Sequence, residues 1–290
     1  MWWLTCCWHW GIDIFLYFAA LMNDQNPYQA YCKDAMGVVE KAAAYIRDRH
    51  RHREELSIKA KGQHNFVTEV DRHAEEILVN GLSEILPEAG FIAEEGTSNR
   101  KGELFNWVID PLDGTTNFIH GVFPFAISVG LLEKEEVVAG VVYEFGLDEC
   151  FYSWKGGGAW LDGSPIRVSD VEIVNRALIA TGFPYTDFSY LSEFLESIRF
   201  FMKHSHGLRR LGSAATDIAY VACGRYDGFY EYGLHPWDVA AGILLVKEAG
   251  GEVSDFGGYE NPLFTEDIVC SNGHIHNEFQ ETTRNIMHHQ

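Results

Sequence analysis

Asp110 and Asp113 stand three residues apart in Trp107-Val-Ile-Asp-Pro-Leu-Asp-Gly-Thr-Thr-Asn-Phe118, with Glu94 upstream and Asp238 far downstream. Before the pair runs Leu104-Phe-Asn-Trp-Val-Ile109, an apolar stretch that reads as a buried strand. Carboxylates just past a buried strand are costly unless their charge is compensated, and a divalent cation is the usual compensation. Gly114, Thr115 and Thr116 then read as a helix start, where unpaired N–H groups can hold an anion. Metal-binding oxygens beside an anion cradle point to metal-assisted chemistry on a phosphate. The plainer alternative is an aspartate pair at a strand-to-turn junction, satisfied by backbone N–H groups.

Several further motifs keep a fixed order around this stretch: Asn65-Phe-Val-Thr-Glu-Val-Asp71, Phe91-Ile-Ala-Glu-Glu95, Leu211-Gly-Ser-Ala214, and Glu231 through Trp237-Asp238 to Glu248-Ala-Gly-Gly251. As an ordered set, from about residue 28 to 279, they resemble the inositol monophosphatase family of Mg²⁺-dependent, lithium-inhibited sugar phosphatases. The resemblance implies that two or three Mg²⁺ ions are held by Glu94, Asp110, Asp113, Asp238 and the Leu112 carbonyl. Thr115, Asp71 and Glu94 would orient the attacking water. Gly114, Thr115 and Thr116 would face the phosphate, while Gly212, Ser213, Ala214 and Glu231 would line the pocket for the leaving-group sugar.

Each residue also has a plainer reading. Glu95 competes with Glu94, since neighbours on a strand point to opposite faces. Asp238 suits a helix N-cap, and Asp71 suits the first turn of a helix, where the dipole favours negative charge. Glu231 could be an exposed strand residue. Ala93 stands where the family often has glycine, and Asn65 replaces a common aspartate, which puts a third metal site in that loop in question. Lys59 and Lys61 sit where the family often places a phosphate-facing lysine, without a firm alignment. Within the same superfamily, 3′-phosphoadenosine nucleotides or fructose bisphosphate are alternative substrates. A non-catalytic, metal-responsive binding protein is the alternative of a different class.

Composition narrows the partners. The 290 residues carry a formal net charge of −20, which argues against nucleic acid as a main partner. A small phosphorylated polyol remains compatible, because bound cations invert the local field. The six cysteines show no C-x-x-C spacing and read as reduced thiols of a cytoplasmic protein. The family resemblance suggests a homodimer. Residues 1–27 form a tryptophan-rich leader in which Asp13 and His9 interrupt the apolar run and no basic flank follows, so a membrane anchor is disfavoured. Met22 is the expected true start.

The elements that must position these residues are legible in outline. Residues 28–52 read as an amphipathic helix with Cys32, Ala35, Met36, Val39, Ala43 and Ile46 on one face. Residues 59–65 read as a mobile loop. A second helix starts at 68–71 and carries Val70, Ala74, Ile77, Leu78, Leu82 and Ile85 until Pro87. Strands are expected at 90–93, 104–109, 123–132, 137–145, 149–154, 178–181 and 226–232. Helices are expected at 188–203, 213–223 and 239–249, the last nearly all apolar and hence buried. Helices and strands mix without strict alternation, which gives an α+β class rather than a doubly wound sheet. The resemblance implies a layered α-β-α-β-α sandwich, a single phosphatase domain over 28–285 with two lobes that meet near residue 175.

Overall fold

In the computed structural model, residues 26–52, 58–60, 66–98, 100–185 and 187–287 are described, 58–60 and 66–68 as backbone alone. The expectations for the leader up to residue 25, and for Lys61 and Asn65, lie outside the described residues. Helix α1 (Pro27–Arg51) matches the first expected helix. Asn26 caps it by accepting the Tyr28 N–H at 3.1 Å, and Pro27 needs no N–H in the first turn. The helix buries Cys32, Ala35, Val38, Val39, Ala42, Ala43 and Ile46. Met36 is only half-buried, because the stripe centres on Val38 and Val39 instead. Strand β1 (Ile58–Ala60) pairs antiparallel with β2 (Phe66–Thr68). Lys59 therefore lies in a strand and not in the expected loop, since the β2 backbone offers its segment a ladder partner. Helix α2 (Glu69–Ile85) buries Val70, Ala74, Leu78 and Leu82 in one stripe, and with them two acids, Asp71 and Glu75.

Helices α1 and α2 cover one face of a seven-stranded sheet. Its strands lie in chain order: β3 (Gly90–Ala93), β4 (Phe105–Asp113), β5 (Ala126–Glu133), β6 (Glu136–Glu144), β7 (Glu149–Trp154), β8 (Ala159–Leu161) and β9 (Ser164–Ile166). β3 and β4 are parallel, the rest antiparallel. β4 runs past the apolar stretch, through Asp110 to Asp113, with a register shift between those two residues. Pro111 has no N–H for the ladder, so the pairing skips there and the aspartates belong to the strand end itself. The three-residue strands β8 and β9 are too short for periodicity to announce. Helix α3 (Thr115–His120) links β4 to β5.

A second sheet holds β10 (Leu178–Thr181), β11 (Gly207–Arg209), β12 (Gly228–Tyr232), β13 (Glu252–Ser254) and β14 (Asp267–Ser271), in the order β11-β10-β12-β14-β13. Four helices accompany it: α4 (Leu191–His204), α5 (Ala214–Ala222), α6 (Pro236–Glu248) and α7 (His276–Met287). α5 and α6 lie between the two sheets, where every residue of α5 is buried. α4 and α7 cover the far face of the smaller sheet. The layers thus run helix, sheet, helix, sheet, helix, the α+β sandwich that the sequence motifs imply. Among the described residues no helix is long and apolar enough to cross a membrane.

The middle layer carries the core. Leu245 of α6 is fully buried between the sheets. Leu245→Ala should lower stability by about 2–5 kcal/mol, the usual range for a truncated core leucine. A urea denaturation series measures it; a loss well under that range would show that α6 is not clamped as described.

Candidate active site

Three distant segments bring carboxylates to one point. Asp110 is 2% exposed, and its Oδ1 accepts the Leu112 N–H at 2.8 Å. Asp113 Oδ2 accepts the Ser213 hydroxyl at 2.7 Å and the Ala215 N–H at 2.8 Å, so it is tied to the start of α5. Asp238 stands in the first turn of α6 and accepts the His235 N–H at 2.6 Å. It is not the N-cap: Pro236 opens the helix, so His235 takes the cap and Asp238 closes a capping box from the third helical position. The Ser128 hydroxyl donates to the Trp237 carbonyl at 3.0 Å and pins that helix start to β5. Oxygens of Asp110, Asp113 and Asp238 lie within 4.8 Å of one another. Glu94 lies outside that trio but lines the same cleft, where its charge acts on Asp110 and Asp238.

Burial raises the Asp110 carboxyl well above the usual carboxylate range, and the charges of Glu94, Asp113 and Asp238 push it further. Asp238 is raised for the same reasons, burial first and Asp113 next. Asp113 is pushed up to about 6 by burial, against the pull of its bonds from Ser213 and Ala215. Such a group of carboxylates invites positive charge. Its donors are all hard oxygens, the set that suits Mg²⁺ rather than a softer metal.

The cleft encloses about 170 Å³. On its near side Glu94, Asp110, Leu112 and Asp113 meet Gly114, Thr115 and Thr116 at the start of α3. On its far side stand Gly212, Ser213, Ala214 and Glu231, while Asp238 joins Asp110 and Asp113. Asp71 lies behind the wall, 1% exposed, where its Oδ1 is 3.0 Å from Thr115 Oγ1. The Leu112 carbonyl lies equally 3.0 Å from that hydroxyl. A hydroxyl has one proton for the two acceptors, which leaves its lone pairs for a further donor. Glu231 is buried in β12, not exposed, because the neighbouring chain lies directly against it. A Cβ on Gly182 would come within 1.8 Å of Glu231 Oε1, so any larger residue there would displace that carboxylate.

Sequence reading missed five contributors. Asp217 lines the cleft from α5, fully buried, with Oδ1 lacking a hydrogen-bond partner among the described residues. Burial raises it well above the carboxylate range, and Asp113 adds to that. A lone acid in an otherwise apolar helix was the available signal. Phe183 and Tyr185 form an exposed aromatic rim. The Arg210 guanidinium lies 4.9 and 5.5 Å from their ring centres and donates to the Tyr185 hydroxyl. Its positive charge opposes the upward shifts of Asp113, Asp217 and Glu231. Asn117 reaches the Leu211 carbonyl at 2.8 Å and docks the Gly212 loop on α3. No local pattern marks these last contacts, since each joins segments far apart in the chain.

The family description for inositol monophosphatases matches residues 28–288. The chain belongs to the inositol monophosphatase family. With it comes the phosphatase class: this chain is a phosphoric monoester hydrolase. An inositol-1-monophosphatase of Rhizobium meliloti is 42% identical over 227 residues, 78% of this chain and 85% of that protein. The Nus factor SuhB of Escherichia coli is 39% identical over 242 residues, 83% of this chain and 91% of that one. The solved structure of an inositol monophosphatase from Thermotoga maritima superposes with a TM-score of 0.78 at 37% identity, covering 86% of this chain and 95% of the other.

The perturbed aspartate makes a pH test. In the metal-free fold Asp113 rises from 3.8 to about 6, so the fold favours its protonated form. That contribution is whole below about pH 4 and is lost as the pH rises through about 6. In EDTA, the Tm of wild type minus that of Asp113→Asn should therefore fall across this window. A flat difference would mean that Asp113 is not perturbed by its surroundings.

Proposed function

We propose that the chain hydrolyses a phosphate monoester of inositol or of a closely related polyol, using Mg²⁺ held by Glu94, Asp110, Asp113, Asp238 and the Leu112 carbonyl. The observation that carries this reading is the convergence of three carboxylates within 4.8 Å beside the Thr115–Asp71 hydrogen bond. When bound, the metal supplies Lewis-acid charge that makes water a better nucleophile and offsets negative charge on the phosphoryl oxygens. The protein's own part is orientation. Asp71 takes the Thr115 proton in a hydrogen bond, so Thr115 Oγ1 presents its lone pairs to the attacking water, with Glu94 as a second acceptor. Gly114, Thr115 and Thr116, where α3 begins, present backbone N–H groups to the phosphate.

The leaving group occupies the far side. Glu231 accepts from a ring hydroxyl of the polyol, held against Gly182, with Gly212, Ser213 and Ala214 alongside. The aromatic rim of Phe183 and Tyr185 suits the apolar face of a ring. The hydroxyl-accepting Glu231 favours a polyol, and the complete carboxylate set favours an enzyme over a purely metal-responsive binder. Four cysteines are free among the described residues, which supports a cytoplasmic setting.

Phosphate release from inositol 1-phosphate should require Mg²⁺ and weaken with Li⁺; equal rates in EDTA would sink the reading. Glu231→Gln should lower kcat/KM for the polyol phosphate by roughly 10- to 150-fold, the loss of one charge-assisted hydrogen bond of about 1.5–3 kcal/mol. A small non-sugar phosphate ester should be spared. An equal loss on both substrates would place Glu231 in the metal site or the fold instead.

A further inference from the structure

We propose that Glu75 is a positioning residue for Glu94, clamping the turn that follows it and thereby setting the affinity of the cleft for Mg²⁺. The proposal rests on the reading of Glu94 as a metal-holding residue. Glu75 lies on α2 one helical turn beyond Asp71, and its side chain is 0% exposed. Both of its oxygens are engaged by backbone: Oε2 accepts the Glu95 N–H at 2.7 Å and Oε1 accepts the Thr97 N–H at 2.8 Å.

Those two amides belong to the segment directly after Glu94. Upstream, the sheet holds Glu94, whose own N–H donates to the Ile109 carbonyl at 3.2 Å. Past Glu94 the chain leaves the sheet, turns at Gly96, whose φ of 68° favours glycine, and returns so that the Arg100 carbonyl accepts the Phe91 N–H at 2.7 Å. Between those two sheet-side bonds the turn needs something to catch its backbone. Glu75 catches it twice, with short charge-assisted bonds. Arg72, on the same helix, adds a longer pairing to Glu95 at 3.9 Å.

A buried carboxylate is an expensive way to fill a helix face on which Ala74 and Leu78 already pack. Its geometry gives the reason. Through Asp71 the helix addresses Thr115, and through Glu75 it addresses the turn beyond Glu94. One rigid element thus holds the water-orienting hydroxyl and a metal-holding carboxylate in a common frame. Outer partners of this kind tune a metal site without touching the metal.

The test compares the full-length wild type with Glu75→Gln, Glu75→Asp and Glu94→Gln. Three quantities are read: amide hydrogen exchange over residues 91–98, Mg²⁺ binding to substrate-free protein by calorimetry, and steady-state rates against Mg²⁺. Glu75→Gln keeps the shape but replaces one acceptor oxygen by an NH₂ group, and Glu75→Asp keeps the charge but withdraws it by one methylene. If one of them does not fold, the other carries the test.

In either variant, exchange at Glu95 and Thr97 should quicken, and Mg²⁺ affinity should fall by about 10- to 100-fold. At saturating Mg²⁺, kcat should return to within about 3-fold of wild type, since the loss lies in binding rather than in the chemical step. Faster exchange with unchanged Mg²⁺ affinity would show a merely structural carboxylate and overturn the proposal. Unchanged exchange would overturn it too. If Glu94→Gln itself binds Mg²⁺ as wild type does, the metal assignment beneath the proposal fails, and that result is distinguishable from failure at Glu75 alone.

Discussion

Like charge gathered at one point is the constraint on which the rest of this protein depends. Asp110, Asp113 and Asp238 hold carboxylate oxygens within 4.8 Å of each other, largely out of water. At that distance two unit charges repel by about 3.5 kcal/mol at an effective dielectric constant of about 20, so three pairs reach about 10 kcal/mol. Whole domains are stable by only about 5–15 kcal/mol. On a free loop the groups would simply move apart. Here each is anchored: Asp110 in β4, Asp113 by hydrogen bonds from the start of α5, Asp238 by the capping box of α6. The anchors hold the three groups together where a proton or a cation offsets that repulsion.

The layered fold is what makes the anchoring stiff. α5 and α6 are sandwiched between two sheets, apolar almost throughout, and both helix starts point at the cleft. Helix N-termini favour negative charge, so the same elements that fill the core also offset part of the charge they gather. Cross-links from other layers complete the frame. Asn117 ties α3 to the Leu211 carbonyl, and Ser128 ties β5 to Trp237. The site lies at the seam of the two sheets, framed by the buried helices α5 and α6.

Electrostatics divide the cleft in two. At one end the aspartate trio and Glu94 form a field with no lysine or arginine among the described residues that line it. At the other, burial raises Glu231 well above the carboxylate range, with the charge of Asp217 next in effect, and Arg210 opposes the shift. The first end suits a cation, the second a neutral, hydroxylated group that can donate to carboxylates. A polyol phosphate fits this division once a cation occupies the first end, since the cation would take the anionic phosphoryl group while the hydroxyls meet the second end.

Much of this was legible in the chain. The spacing of Asp110 and Asp113 after an apolar run pointed to metal-assisted chemistry on a phosphate, because a carboxylate beside a buried stretch is a local anomaly that one dimension records, while Asp238 entered through the ordered motifs of the family resemblance. Helix stripes are local as well, and the buried faces of α1 and α2 fall close to where the periodicity predicts. Other features had no local signature. Pro111 let β4 extend through the aspartates only because β5 was there to resume the pairing. Glu231 became buried only because Gly182 brought a second chain segment against it. Glu75, Asn117 and Arg210 acquired their partners from segments 20 to 94 residues away. The sequence by itself determined which residues could carry charge and chemistry and which stretches had to be buried. Which carboxylates meet, and what holds them there, was decided by tertiary structure, since only close packing of distant segments sets their distances and removes the water between them.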